Sequence, residues 1–237
     1  MSGSSKMQVI RFHFDVISPF AYLAFEHLPQ ALAGCSYTVA YRPILFAGLL
    51  KHWGQKGPAE IEPKRAWTFR HLHWWAQRAG IPLDTPAQHP FNPLPLLRLA
   101  LACAEPSAAQ ASSGEPVDPS PNRRVVEALF RHVWLGGEDA TDPTRLAALR
   151  SQLAPNQDPD SAAIKLALHQ RTQQAIDSGV FGVPGFELAG RHFWGLDALE
   201  MLRDALCTGP WFEAGQWIET GLAPPAEHRL KSSRSGE

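Results

Sequence analysis

Residues 12–25 read FHFDVISPFAYLAF, and the chemistry they offer centres on Ser18. An alternating apolar pattern gives way there to helical spacing. Serine caps a first helical turn well, and the proline after it is preset for the first helical position. Phe20, Leu23 and Ala24 give the helix an apolar face. The unpaired N–H groups and the dipole at that end favour an anion beside the hydroxyl. Helix cap and anion contact both stay open for Ser18, because one hydroxyl serves for either.

Other chemistry-bearing residues are weaker signals. Cys35, Cys103 and Cys207 are far apart and form no C-x-x-C pair. Their spacing predicts neither a disulfide framework nor a zinc site, and points to a reducing, cytoplasmic setting. His71 and His73, beside Trp74 and Trp75, lie on different faces of a helix, so they are not a shared ligand pair. No metal site is expected. Taken alone, Lys51 reads as a solvated surface lysine and His89 as a residue of a Pro-rich loop. Trp67, Trp75 and Trp134 read as core before substrate platform. Asp197, with Glu200 three residues on, reads as the acidic analogue of a capping box.

Composition narrows the function classes. A net charge of −1 gives no electrostatic pull toward nucleic acid or a membrane surface. No apolar run approaches the ~18 residues of a membrane span. The first residues, MSGSSKM, lack an apolar core and predict no signal peptide. In 237 residues, 44% hydrophobic, there is room for one large domain or for one domain with a sizeable insertion.

The elements that must position Ser18 follow from periodicity. Residues 8–16 and 36–44 read as strands, joined by a helix over 19–33 that contains Pro29, where a kink or restart is expected. That order is a βαβ unit with parallel strands. From 49 to about 179 the pattern is helical, with segments at 64–79, 95–104, 123–135, 143–153 and 161–178. Residues 105–122 are rich in Pro and Ser and read as a mobile loop. After Gly179, VFGVPGFELAG and RHFWG read as an antiparallel hairpin turning at Gly190. A helix over 197–206 follows, then an aromatic tail that docks on the body and frays from 224. The two β-containing ends together predict an α/β fold with one four-stranded mixed sheet.

That layout resembles the thioredoxin fold, and its helical insertion the DsbA-like branch. SPFAY, KRAW…WWAQRAGIP, FGVP and FWGLDAL, in this order over residues 8–207, resemble the 2-hydroxychromene-2-carboxylate isomerases and kappa-class glutathione transferases. The resemblance implies a thioredoxin-like domain of residues 8–48 and 180–222 with an inserted helical domain of 49–179. It implies a glutathione thiolate beside Ser18, with the backbone of Val183, before a cis Pro184, pairing with the cysteinyl part. It also implies that Trp194, Gly195, Leu196 and Asp197 hold the γ-glutamyl end, and that Lys51 and His89 face a small aromatic substrate. Relatives are commonly homodimers. Ala198 stands where a basic residue often follows the Asp, and His89 where the isomerase has a tyrosine.

A free thiol with a pKa of about 8.5 is mostly protonated at neutral pH. A helix N-terminus plus one charge-assisted hydrogen bond, about 1.5–3 kcal/mol, lowers it by one or two units. The thiolate then adds to an electron-poor double bond. Rotation about the resulting single bond and expulsion of sulfur give the other isomer with glutathione returned; transfer stops at the adduct. Ser18 and Ala21 occupy the places where a disulfide oxidoreductase needs two sulfurs, which argues against redox work at this turn. The expectation is therefore a glutathione-dependent isomerase. A kappa-type transferase and a non-catalytic thioredoxin-fold binding module are the alternatives.

Overall fold

The computed structural model describes residues 7–106, 118–207 and 209–221. The tail expected to fray from 224 and the centre of the loop expected over 105–122 lie outside the described residues. Strand β1 (Gln8–Phe14) and β2 (Tyr37–Pro43) are parallel and joined by α1 (Pro19–Ala31). Strand β3 (Gly185–Leu188) runs antiparallel beside β1, and β4 (Arg191–Trp194) antiparallel beside β3. The order β2-β1-β3-β4 is the expected four-stranded mixed sheet. Ala189 and Gly190, with φ of 49° and 75°, make the two-residue hairpin turn. Two left-handed residues in succession match the twist of the paired strands.

Alternation sorts the sheet into two faces. Phe12, Phe186 and Phe193 stand in register across β1, β3 and β4, and the first two rings stack at 4.8 Å. All three are buried against α1 and its neighbours. Each contributes about 1.5–3 kcal/mol relative to an exposed ring. Arg11, Glu187 and His192 form the row on the other face, where Arg11 Nη1 pairs with Glu187 Oε1 at 2.7 Å.

Helices fill the interval between β2 and β3: α2 (Phe46–His52), a short 3-10 turn (Pro58–Glu60), α3 (Glu62–Ala79), α4 (Leu94–Ala102), α5 (Arg123–Trp134), α6 (Pro143–Leu153) and α7 (Ala162–Asp177). Asn122, Asp142 and Ser161 cap the last three through their side chains. After β4 come α8 (Leu199–Leu206), α9 (Pro210–Glu213) and α10 (Gln216–Gly221). The aromatic tail docks as expected, with Phe212 and Trp217 against Phe193.

Four local expectations change. Helix α1 runs through Pro29 without a restart. The Phe25 carbonyl, four residues back, loses its usual donor there and instead accepts from Arg123 Nη1 at 3.5 Å. Residues 180–184 form a loop, so the hairpin's first strand begins only at Gly185. Asp197 does not cap α8. Gly195, with φ of 99°, opens a tight turn closed by Ala198 N–H to Gly195 O at 3.3 Å, and Ala198 takes the cap position without a side-chain bond. Trp134 is buried as expected, but Trp67 is 64% exposed, on the outer face of α3. Its ring stacks on His71 at 5.8 Å, and His71 on Trp74 at 6.1 Å, so the exposed rings shield one another along the helix.

Candidate active site

Ser18 sits at the N-cap of α1, 8% exposed. Its Oγ accepts from Ala21 N–H at 3.2 Å and donates to the Val183 carbonyl at 3.5 Å. The second contact is at the limit of a hydrogen bond. The hydroxyl hydrogen is therefore weakly held and turns toward a better acceptor at little cost.

The loop that presents Ser18 has its polar groups accounted for. Asp15 is fully buried; Oδ1 accepts from Ile17 N–H at 3.1 Å and Oδ2 from Phe46 N–H at 2.9 Å. The Asp15 carbonyl accepts from Ser18 N–H at 3.0 Å. The Val16 carbonyl accepts from Trp134 Nε1–H at 2.9 Å. Ile17 O lies 2.9 Å from His89 Nε2. A carbonyl only accepts, so His89 carries its hydrogen on Nε2. Burial holds the imidazole below its ordinary pKa and keeps it neutral. Burial also pushes the Asp15 carboxyl up to about 7, against the two backbone donors that favour its charge. Sequence reasoning missed Asp15 as the clamp between this loop and α2, because its second donor lies 31 residues away.

Ser18 opens into a cavity of about 590 Å³. Its apolar wall is Phe20, Phe46, Leu50, Phe69, Phe91 and Phe181. Lys56, Lys64 and Arg65 also line it and are exposed, which makes the rim predominantly cationic beside Glu60. Thr172 on α7 accepts from Leu45 N–H at 3.0 Å, and Trp53 Nε1 donates to the Val180 carbonyl at 3.1 Å. These bonds fix α2 as one wall.

Ser18, His89, Val183 and Trp194 all line this cavity. The Val183–Pro184 bond is cis, as is His89–Pro90. Pro184 O accepts from Gly195 N–H at 3.0 Å, which joins the Val-Pro loop to the turn of Gly195, Leu196 and Asp197. Those three lie outside the cavity wall: Leu196 is buried in the core and Asp197 is exposed. A Cβ at Gly182 would run into the Trp194 indole, so only glycine permits that close approach. Lys51 is exposed near the end of α2 and does not line the cavity. The lining cations are the three that sequence reasoning passed over. None of Trp67, Trp75 and Trp134 lines it either. Among the described residues, no group of three or more His, Cys, Asp or Glu is placed to hold a metal ion, and no helix is long and apolar enough to cross a membrane.

Residues 9–207 match the family described as DSBA-like thioredoxin domain. The chain is 30% identical over 207 residues to a 2-hydroxychromene-2-carboxylate isomerase of Pseudomonas putida, covering 84% of this chain and 94% of that one. It is 26% identical to glutathione S-transferase kappa 2 of Caenorhabditis elegans over 212 residues, 84% of this chain and 92% of that one. A solved structure of a 2-hydroxychromene-2-carboxylate isomerase superposes with a TM-score of 0.69 at 26% identity, covering 88% of this chain and 98% of that one. With a serine capping the first helix, a cis Val-Pro opposite it and these likenesses over most of its length, the chain belongs to the DSBA-like thioredoxin domain family. Within it the chain is an enzyme of the kind that includes the 2-hydroxychromene-2-carboxylate isomerases and kappa-class glutathione transferases.

Proposed function

We propose that the protein is a glutathione-dependent isomerase of 2-hydroxychromene-2-carboxylate-type aromatic substrates. The supporting observation is the Ser18 hydroxyl: buried at the start of α1, weakly held by Val183, and open to a cavity with aromatic walls. In this reading glutathione lies with its sulfur against Ser18 Oγ. Its cysteinyl backbone pairs with Val183 beside Pro184, and its γ-glutamyl end follows Trp194 toward Gly195, Leu196 and Asp197. The inserted helices, residues 49–179, supply the substrate side of the cavity, and residues 8–48 and 180–222 the glutathione side.

The chain's own groups divide the work. Ser18 donates to the thiolate and keeps it charged at neutral pH, where it is nucleophilic. Phe20, Phe46, Phe69 and Phe91 exclude water from a planar aromatic substrate and strengthen that hydrogen bond. Lys56, Lys64 and Arg65 attract the substrate carboxylate to the rim, and exposed Lys51, next in sequence to the wall residue Leu50, adds to that charge in this reading. Neutral His89 fixes the Ser18 loop and bounds the substrate. The protein acts in the cytoplasm as a homodimer in this reading.

Product analysis tests it. With glutathione and a 2-hydroxychromene-2-carboxylate, the reading predicts an isomerised product with total glutathione unchanged. Consumption of glutathione into a conjugate would make the protein a kappa-type transferase instead, and the kinship to the kappa 2 transferase favours that second reading. Failure to bind glutathione at millimolar concentration would leave a thioredoxin-fold binding module.

A further inference from the structure

We propose that Cys35 and Cys207 form a reversible disulfide in the presence of a small-molecule disulfide, a cross-link that fastens the end of α8 to the loop leaving α1. The spacing of the cysteines gave no hint of this, because 172 residues separate the two. The fold brings their sulfurs to 2.7 Å, inside the contact distance of two unbonded sulfurs and short of full bonding at about 2.05 Å.

The approach is built by the framework. Cys35 lies in the short connection between α1 and β2, and Cys207 is the C-cap of α8. Arg203 Nη1 donates to the Ala31 carbonyl at 3.4 Å, and Gln8 Nε2 to the Leu206 carbonyl at 3.2 Å. These bonds tie the last turn of α8 to the end of α1 and to the start of β1. Arg203 is also close enough to favour a thiolate at Cys35. Cys207 is exposed and Cys35 half-buried, so a small reagent reaches the pair from solvent. Cys207, the more exposed of the two, is the first attacker, while burial and the neighbouring sulfur push the Cys35 thiol up to about 11. Cys103 is buried and serves as an internal control.

The exchange balances with glutathione disulfide as oxidant. The Cys207 thiolate attacks one sulfur of the disulfide, forming a mixed disulfide and expelling one glutathione thiolate, which is protonated. Cys35 then loses its proton and attacks the Cys207 sulfur, expelling the second glutathione. Two protein thiols are oxidised and one glutathione disulfide is reduced to two thiols. This chemistry lies at the far end of α1 from Ser18 and does not depend on glutathione binding at the cavity.

The test treats the folded, full-length protein with glutathione disulfide, then counts thiols in denaturant and maps peptides. The expected result is a fall from three thiols to one, a mass lower by two hydrogens, a linked Cys35–Cys207 peptide and reversal by dithiothreitol. The oxidised protein should melt roughly 5–15 °C above the reduced one, because the closed loop is long. The Cys35→Ser variant should stop at one glutathionyl adduct on Cys207. Three persistent thiols, a stable mixed disulfide on the wild-type chain, or a linkage through Cys103 would each overturn the proposal. The wild-type thiol count decides it even where a variant folds poorly.

Discussion

The Ser18 hydroxyl and the Val183 carbonyl meet at 3.5 Å across 165 residues of chain, joining the first strand-to-helix turn to the loop before the hairpin. A neutral hydrogen bond this long is worth little, so in the proposed function an arriving glutathione thiolate would replace it with a charge-assisted one. The long contact leaves the hydroxyl hydrogen available to such an anion.

Ser18 has two separable jobs, cap and donor. Ser18→Ala should lower catalytic turnover by about 10- to 100-fold, the equivalent of one charge-assisted bond, and cost about 1 kcal/mol of stability through the lost cap. Ser18→Gly should lose the same turnover while costing only a few tenths of a kcal/mol. Steady-state kinetics beside urea unfolding of both variants separates the roles. Equal activity in wild type and Ser18→Gly would remove the donor role.

Gly182→Ala places a methyl group where the Trp194 indole now lies. Trp194 is 56% exposed and free to swing outward, so stability should change by less than about 1 kcal/mol. The KM for glutathione should rise several-fold because the displaced indole no longer borders its place. An unchanged KM would exclude Trp194 from the glutathione site.

Burial of Asp15 sets the sign of one pH dependence of stability. Its folded pKa, about 7, lies above the usual 3.8, so the folded chain binds this proton more tightly than the unfolded chain. The stability it contributes is whole below about pH 4 and is lost as pH rises through 7, up to about 4 kcal/mol. Asp15→Asn should flatten that slope, and should cost about 1–3 kcal/mol because an amide leaves one of the two N–H donors unmatched. Urea unfolding of both proteins at pH 4 to 8 reads the difference. Parallel slopes would place the titration elsewhere.

Trp134→Phe should cost about 2–4 kcal/mol, from the buried volume removed and the Val16 carbonyl left without its donor. Because that bond steadies the residues before Ser18, kcat should fall while KM for glutathione holds. Thermal melting and kinetics on one preparation check both.

Local signals carried much of this architecture. Alternation in 8–16, the Ser-Pro pair and the Gly190 turn each work through neighbours in sequence; the strand formed over Gln8–Phe14, two residues short of its expected end, and the helix start and the turn formed where expected. What was not legible rests on distant partners. The second backbone donor on Asp15, the meeting of Cys35 with Cys207 and the rim of Lys56, Lys64 and Arg65 arise only when α1, α2, α3 and α8 are packed. Asp197 looked like a cap because Asp followed by Glu is a local signal. The Gly195 turn overrode it by starting α8 two residues later.

The most direct measurement is an ultraviolet titration of the thiolate of glutathione bound to wild type and to Ser18→Gly. In wild type the bound thiol should titrate about one to two units below the free value of about 8.5, returning most of the way in the variant. The same pKa in both proteins, or no saturable glutathione signal in wild type, would contradict this expectation.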